Sequence, residues 1–311
     1  MRIATFNVQN MRLRIRGAAA RLDGARDGDV PDDTGPGPAS FDSADRDLTA
    51  AVLKEADADV VALEEVFDQA TLDHFHDRVL VPCGVAAYPH RICLPGNDGR
   101  GLDIAVMSRL PFVSVSSHAG ETPSSLGLEP AEGVGAADRI FRRDCLEVTV
   151  GALTLFVCHF KAPGPDPAAV WPVRRLEAAA VRKLVERRFA DPSGALWLIV
   201  GDLNEPLHAA PGRERPIAPI LGDFSVDLLL RLPPDERWSY RQPDSRLYSR
   251  PDALMASPEL ARRWPNATPR ILRAGLGREA ERYRGERLPA VGQHRPHASD
   301  HAALVVDFPD L

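Results

Sequence analysis

Six apolar, strand-like runs in this chain end at, or start from, a side chain able to hold a cation, move a proton or grip an oxyanion. Asn7 closes the first run. Glu64-Glu65 ends Val60-Val61-Ala62-Leu63, and His159 ends Leu155-Phe156-Val157-Cys158. Gly201-Asp202-Leu203-Asn204 follows Trp197-Leu198-Ile199-Val200, Asp252 opens a short run, and Ser299-Asp300-His301 precedes the last. Singly, an Asp or Asn after a strand is commonly a turn or a helix cap. As a set they matter, because ligands of α/β sheets gather where strands terminate. The set holds carboxylates for a hard divalent cation, histidines for proton transfer and side-chain amides for an oxyanion. Hydrolysis of a phosphoester needs those parts: in-line attack by water, uptake of added negative charge, and a proton for the leaving oxygen. No Walker A sequence or nucleotide-binding glycine fingerprint competes with that chemistry.

Such side chains act together only if a sheet brings the run ends to one place. Strand signals fall at residues 3–8, 59–63, 102–107, 145–150, 153–159, 196–200, 253–256 and 303–308. Helical periodicity covers 44–56, 70–79 and 173–189, the last with Pro172 expected at its start. Interleaved strands and helices, with hairpin-like pairs such as 145–159, predict a mixed α/β sandwich. The whole chain, 1–311, reads as one domain with two insertions. Residues 17–47 carry eight Asp against three Arg, a loop of net charge −5. Residues 262–295 carry nine Arg against three Glu, a basic segment of net +6. Both read as surface, and long loops of this kind are where substrate recognition is often built.

Bulk properties narrow the setting. At 311 residues with 44% hydrophobic content, the chain can bury a large core without staples. A formal net charge of −6 excludes coating of nucleic acid by overall electrostatics. Three lysines, Lys54, Lys161 and Lys183, stand among 38 basic residues, a bias that by itself assigns no phosphate surface. No run reaches the roughly 18 apolar residues of a membrane span, and the N-terminus lacks the pattern of a signal peptide. The four cysteines, Cys83, Cys93, Cys145 and Cys158, form no CxxC pair, and Cys145 and Cys158 read as core thiols, so a reduced, cytoplasmic setting is expected; separately, the protein is expected to be a monomer.

The order TFN, LEEV, HFKAP, GDLNEP, RPDALMAS and SDHAAL, from Asn7 to His301, resembles the metal-dependent endonuclease/exonuclease/phosphatase superfamily. That superfamily includes deoxyribonuclease I and exonuclease III-like apurinic endonucleases, neutral sphingomyelinases and inositol-polyphosphate 5-phosphatases. The resemblance implies a four-layered α/β/β/α sandwich with two central mixed sheets and the site at one end. It implies Mg²⁺ or Mn²⁺ on Glu65 and Asp300, with Asn7 in support. Asp202 would orient or deprotonate the attacking water, and Asn204 would donate to a phosphoryl oxygen. His301, paired with Asp252, would contact the scissile phosphate, and His159 would serve as acid or donor near the leaving group. Arg142 or Arg143 would contact substrate phosphate, as in the deoxyribonuclease branch; apart from the resemblance, His297, close to Asp300, reads as assisting substrate phosphate. The family commonly has Gln at position 64, so Glu64 either crowds its neighbour with charge or faces solvent.

Three functional classes follow: a phosphodiesterase acting on nucleic acid, a phosphoesterase for a small molecule or lipid head group, and a non-catalytic binder. The nuclease-like reading draws on His159 and on the arginines of 262–295; a binder would have lost one of Glu65, Asp202, Asn204, Asp300 and His301. Scarce lysine disfavours the inositol-phosphatase branch. Trp238-Ser239-Tyr240 loosely resembles the aromatic wedge of the exonuclease III branch. A zinc cluster of His294, His297, Asp300 and His301 is the competing reading of the C-terminal histidines.

Overall fold

The computed structural model describes residues 1–26, 35–205, 212–243 and 246–311. Two six-stranded mixed sheets lie face to face. The first has the spatial order Arg270–Leu272, Ala303–Asp307, Arg2–Met11, Val60–Val66, Asp103–Ser108 and His90–Leu94. The second has the order Val226–Asp227, Asp252–Ala256, Trp197–Asp202, Leu153–His159, Cys145–Val150 and Phe112–Ser117. Helices Asp42–Ala56 and Gln69–Phe75 cover the outer face of the first sheet, and Pro167–Arg188 covers that of the second. This is the α/β/β/α sandwich that the sequence implies.

Strand alternation sorts the side chains into layers. Ile3, Val60, Ala62, Leu155, Val157, Leu198, Val200, Leu254 and Ala256 meet between the sheets. Phe6, Val8, Val61 and Leu63 face the first helical layer, with Leu48, Val52 and Phe75. Trp197 and Ile199 face the second, with Leu176, Val181 and Leu184. A side chain two residues past an inter-sheet leucine or valine points the same way. His159, Asp202 and Asp252 therefore continue the inter-sheet face at its polar end.

Several local expectations are corrected. Pro172 lies inside the long helix, not at its start. The helix begins five residues earlier, with Pro167 at its first position and the Asp166 carboxylate capping the amides of Ala168 and Ala169. The 17–47 stretch is not simply a loop. Ala19–Leu22 pairs with Leu13–Arg16 in a hairpin, and the helix from Asp42 buries Asp42, Asp45 and Arg46; residues 27–34 lie outside the described chain. Nor is 262–295 a free basic flank. Seven of its nine arginines are taken up locally: Arg262 and Arg263 by Glu259, Arg295 by Asp42 and Asp45, and Arg273, Arg278, Arg282 and Arg287 by backbone carbonyls. The acidic and basic segments thus meet, with Asp42 and Asp45 buried against Arg295. Among the described residues no helix is long and apolar enough to cross a membrane, and all four cysteines are free thiols.

Candidate active site

Three strands of the second sheet end on one rung. Asp202 is in register with His159 on one side and Asp252 on the other. Gly201 makes the rung possible: its φ is +124°, and a Cβ there would lie 2.0 Å from the Cys158 carbonyl oxygen. Any side chain would push the strand carrying Asp202 away from the one carrying His159.

On the first sheet, Asn7 is in register with Glu64, and both face the second sheet. Alternation would send Glu65 outward with Leu63. A bulge prevents this: the register shifts between Glu64 and Val66, and Glu65 takes a left-handed φ of +68°. Gln9 and Asn10 of the neighbouring strand are left-handed as well. The bulge turns Glu65 into the cleft, where Asn10 N donates to its Oε2 at 2.8 Å and Asn7 Nδ2 reaches its Oε1 at 3.3 Å. Arg46 braces this irregular backbone; its buried guanidinium donates to the carbonyls of Val8, Gln9, Asp23 and Gly24. Glu64 does not face solvent. It is fully buried, takes a hydrogen bond from Thr5 Oγ1, and is held well above the usual carboxylate range by burial and by Asp252 nearby.

The two sheets meet through a polar network. Asn7 Nδ2 donates to Asp202 Oδ2 at 3.1 Å, and Asn204 N donates to Asp202 Oδ1 at 2.7 Å. His159 Nε2 lies 3.6 Å from Asp202 Oδ2 and 4.0 Å from Glu65 Oε1. His301 Nδ1 is 3.0 Å from Asp252 Oδ2, which also accepts from Ser239 Oγ, and the Tyr240 ring packs on the imidazole. These groups open on a cleft of about 570 Å³, also lined by Gln9, Asp300, Arg100 and Arg143.

The electrostatics divide the histidines. Burial opposes charge on His301, but Asp252, Asp300 and Asp202 outweigh it and hold the ring protonated well above the ordinary histidine range. His159 is driven the other way by burial, Arg143 and His301, and stays neutral. Burial pushes Asp202 up to about 6, with His301 opposing and Asp252 reinforcing that rise. Environments that drive neighbouring titratable groups apart mark sites of acid–base chemistry.

The remaining expected residues separate. Arg143 lines the cleft and donates to the Phe160 carbonyl at 3.1 Å; Arg142 is not among the lining residues. His297 does not reach the cleft. It is buried, with Nε2 3.0 Å from Gln9 Oε1 and 2.9 Å from the Ala25 carbonyl. The zinc arrangement does not assemble either, since His294 Nδ1 lies 2.9 Å from Glu279 and His297 turns to Gln9. Trp238 is no wedge; it is buried against Tyr248 and Arg273.

Gln9, Arg100, Ser239 and a brace on the long helix carry no mark in the sequence. In that brace, buried Arg174 donates to the carbonyls of Lys161 and Leu203 and pairs with Glu205 at 3.1 Å. One turn on, Glu177 accepts from the amides of Arg142 and Lys161. The nearest signal was helical spacing itself, three residues apart on a face that otherwise packs on apolar core.

Glu65, Asp202 and Asp300 suit a hard divalent cation, being oxygen donors gathered in one cleft. Among the described residues, Asp202, Asp252 and His301 bring candidate ligand atoms within 4.8 Å of one another. Within that trio His301 Nδ1 is already engaged by Asp252, so the cleft-facing carboxylates are the better cradle.

The sequence profile of the Endonuclease/Exonuclease/phosphatase family matches residues 4–301, and the chain belongs to that family. Among solved structures, truncated TDP2 from Caenorhabditis elegans superposes with a TM-score of 0.54 at 15% identity, covering 98% of this chain and 96% of the other. An endonuclease/exonuclease/phosphatase family protein from Leptotrichia buccalis gives 0.57 at 13% identity, over 99% and 98%. An AP endonuclease from Archaeoglobus fulgidus gives 0.55 at 16%, over 99% of each chain. At these identities the likeness establishes the fold. Comparison with curated proteins finds no match.

Proposed function

We propose that this protein hydrolyses phosphodiester bonds with Mg²⁺ or Mn²⁺ held by Glu65 and Asp300, Asn7 supporting, as a single domain in the cytoplasm. The observation that carries this reading is the meeting of cleft-facing carboxylates with two histidines of opposite proton affinity. Neither sheet holds the whole set, which supports the single domain, and the free thiols support a reducing compartment. When bound, the cation supplies Lewis-acid stabilisation of a phosphoryl oxygen.

The chain's own residues do the rest. Asp202, near 6 and anchored by Asn7 and Asn204, orients the attacking water and takes its proton. Protonated His301 donates from Nε2 to the phosphoryl group, with Asp252 orienting the ring and holding its charge through Nδ1. Asn204 spends one amide hydrogen on the Phe160 carbonyl and offers the other to a phosphoryl oxygen. Neutral His159 faces Asp202 and Glu65 with Nε2, so that nitrogen carries the hydrogen and donates at the leaving-group side. Arg100 and Arg143 add positive charge to the wall of the cleft.

The test is a panel of bis(p-nitrophenyl) phosphate, p-nitrophenyl phosphate, plasmid DNA and RNA in Mg²⁺, Mn²⁺ and Ca²⁺. Turnover of diesters above monoesters, abolished by EDTA, is expected. Folded, metal-loaded protein inert on every member overturns the reading; preference for the monoester moves it to the small phosphoesters that the cleft also accommodates.

A further inference from the structure

Arginines free to meet an anion also stand outside the segment that the charge pattern singles out. The 262–295 segment spends most of its guanidinia internally, whereas the hairpin Leu13–Arg16 and Ala19–Leu22, which leads into the acidic N-terminal stretch, holds an arginine cluster. Arg14 and Arg21 lie directly opposite one another in the register. Arg16, two residues from Arg14, shares their face, while Leu13 and Leu22 turn to the core. With Arg26 they line a concavity of about 590 Å³. Among the described residues its one acid, Asp23, pairs with Arg14 at 2.8 Å and lies 3.7 Å from Arg26, which also reaches Asp42. Arg16 and Arg21 are exposed and have no ion-pair partner among the described residues. Like charges opposite one another weaken a two-stranded ribbon, so this arrangement gains nothing for the fold.

The concavity is joined to the cleft through one residue. Asn10 Nδ2 donates to the Arg26 carbonyl, and Asn10 N donates to Glu65 Oε2. Asn10 thus ties the backbone at the Arg26 end of the concavity to the wall of the cleft at Glu65.

We infer that the hairpin is a second, non-catalytic phosphate-binding surface, seating the sugar–phosphate backbone of a nucleic acid strand whose scissile phosphate occupies the cleft. Arginines repeating at every second residue along a strand, about 6.8 Å apart, meet successive charges of a polymer; a single small phosphate would engage only one or two. A lipid surface fits poorly, because Ile15 is the hairpin's one large exposed hydrophobic side chain. The inference rests on the phosphodiesterase reading only for the register between hairpin and cleft.

The test measures binding of a fluorescent 20-nucleotide single-stranded DNA by anisotropy over a salt series with EDTA present. Hydrolysis of bis(p-nitrophenyl) phosphate, too small to reach the hairpin, is assayed in parallel. In R16Q/R21Q, loss of two phosphate contacts lowers affinity roughly tenfold at physiological salt and flattens the log–log salt slope by about 1.4. Small-diester turnover stays within twofold. D23N, which frees Arg14, tightens binding. Unchanged affinity and slope in R16Q/R21Q, with the circular dichroism of the wild type, overturn the inference, as does preferential binding to phosphatidylserine vesicles over the oligonucleotide. Wild-type protein that turns over the small diester but does not bind the oligonucleotide removes the hairpin surface and leaves the phosphodiesterase reading. Hairpin-dependent binding without turnover of any ester does the reverse.

Discussion

Replacing Asp252 with asparagine removes the carboxylate on which His301 depends while keeping the size of the side chain. The two groups are 3.0 Å apart and both are buried. Coulomb attraction at that separation, with an effective dielectric of about 20, amounts to about 5 kcal/mol. Burial of the ring opposes its charge, and Asp202 and Asp300 supply only part of the compensation. Without Asp252 the imidazole is neutral near pH 7, and its Nε2 no longer brings a positive charge to the phosphoryl group. Loss of a positioned acid or donor costs about 10²- to 10⁴-fold in rate. The sign fixes the pH dependence: a lowered histidine pKa makes the defect smaller at pH 6 and larger at pH 8. The assay is kcat for bis(p-nitrophenyl) phosphate across that range at saturating Mn²⁺. A variant within threefold of wild type at pH 7, or a defect equal at pH 6 and pH 8, refutes the charge argument.

Three further outcomes are expected. Glu65→Gln weakens Mn²⁺ binding, read by electron spin resonance, by at least about tenfold; unaltered affinity would place the cation elsewhere. Arg174→Met strands the Glu205 carboxylate with Arg215 alone and frees the Lys161 and Leu203 carbonyls, costing about 3 kcal/mol in urea unfolding. A loss below about 1 kcal/mol would show that the long helix does not brace the site. Glu147 is held below its ordinary 4.5 because His118 and Arg188 outweigh its burial, so its contribution is present above pH 4.5 and lost as pH falls through the folded-state value. Glu147→Gln should lower the urea midpoint more at pH 7 than at pH 3, and an equal effect at both would contradict that linkage.

The fold was legible because its signals are local. Apolar alternation marks a strand without knowledge of its neighbours, and the expected strands at 145–150 and 153–159 match the observed ones to the residue. His159, Asp202 and Asp252 were legible for the same reason, since each continues the parity of a run packed between the sheets. Glu65 defeats that logic. Alternation favours Glu64 for the cleft, and only motif resemblance chose Glu65; the structure supplies the cause in a left-handed residue at a bulge. His297 was chosen for its type and its nearness to Asp300, and burial against Gln9 and Ala25 takes it out of reach.

By itself, the sequence determined which side chains stand at strand ends, the layered sandwich that gathers those ends, and the kind of chemistry they can perform together. Tertiary structure decided which charges remain free. Net charge promised an acidic loop near the N-terminus and a basic flank near the C-terminus, yet the hairpin beside the acidic stretch exposes Arg16 and Arg21 without an ion-pair partner among the described residues, while seven of the nine arginines of 262–295 are bound. The physical reason is that the N–H groups of a guanidinium can be taken up by backbone carbonyls as well as by a carboxylate, although only the carboxylate cancels its charge. Every residue carries a carbonyl, so the partner leaves no trace in composition, and only folding reveals which arginines have found one.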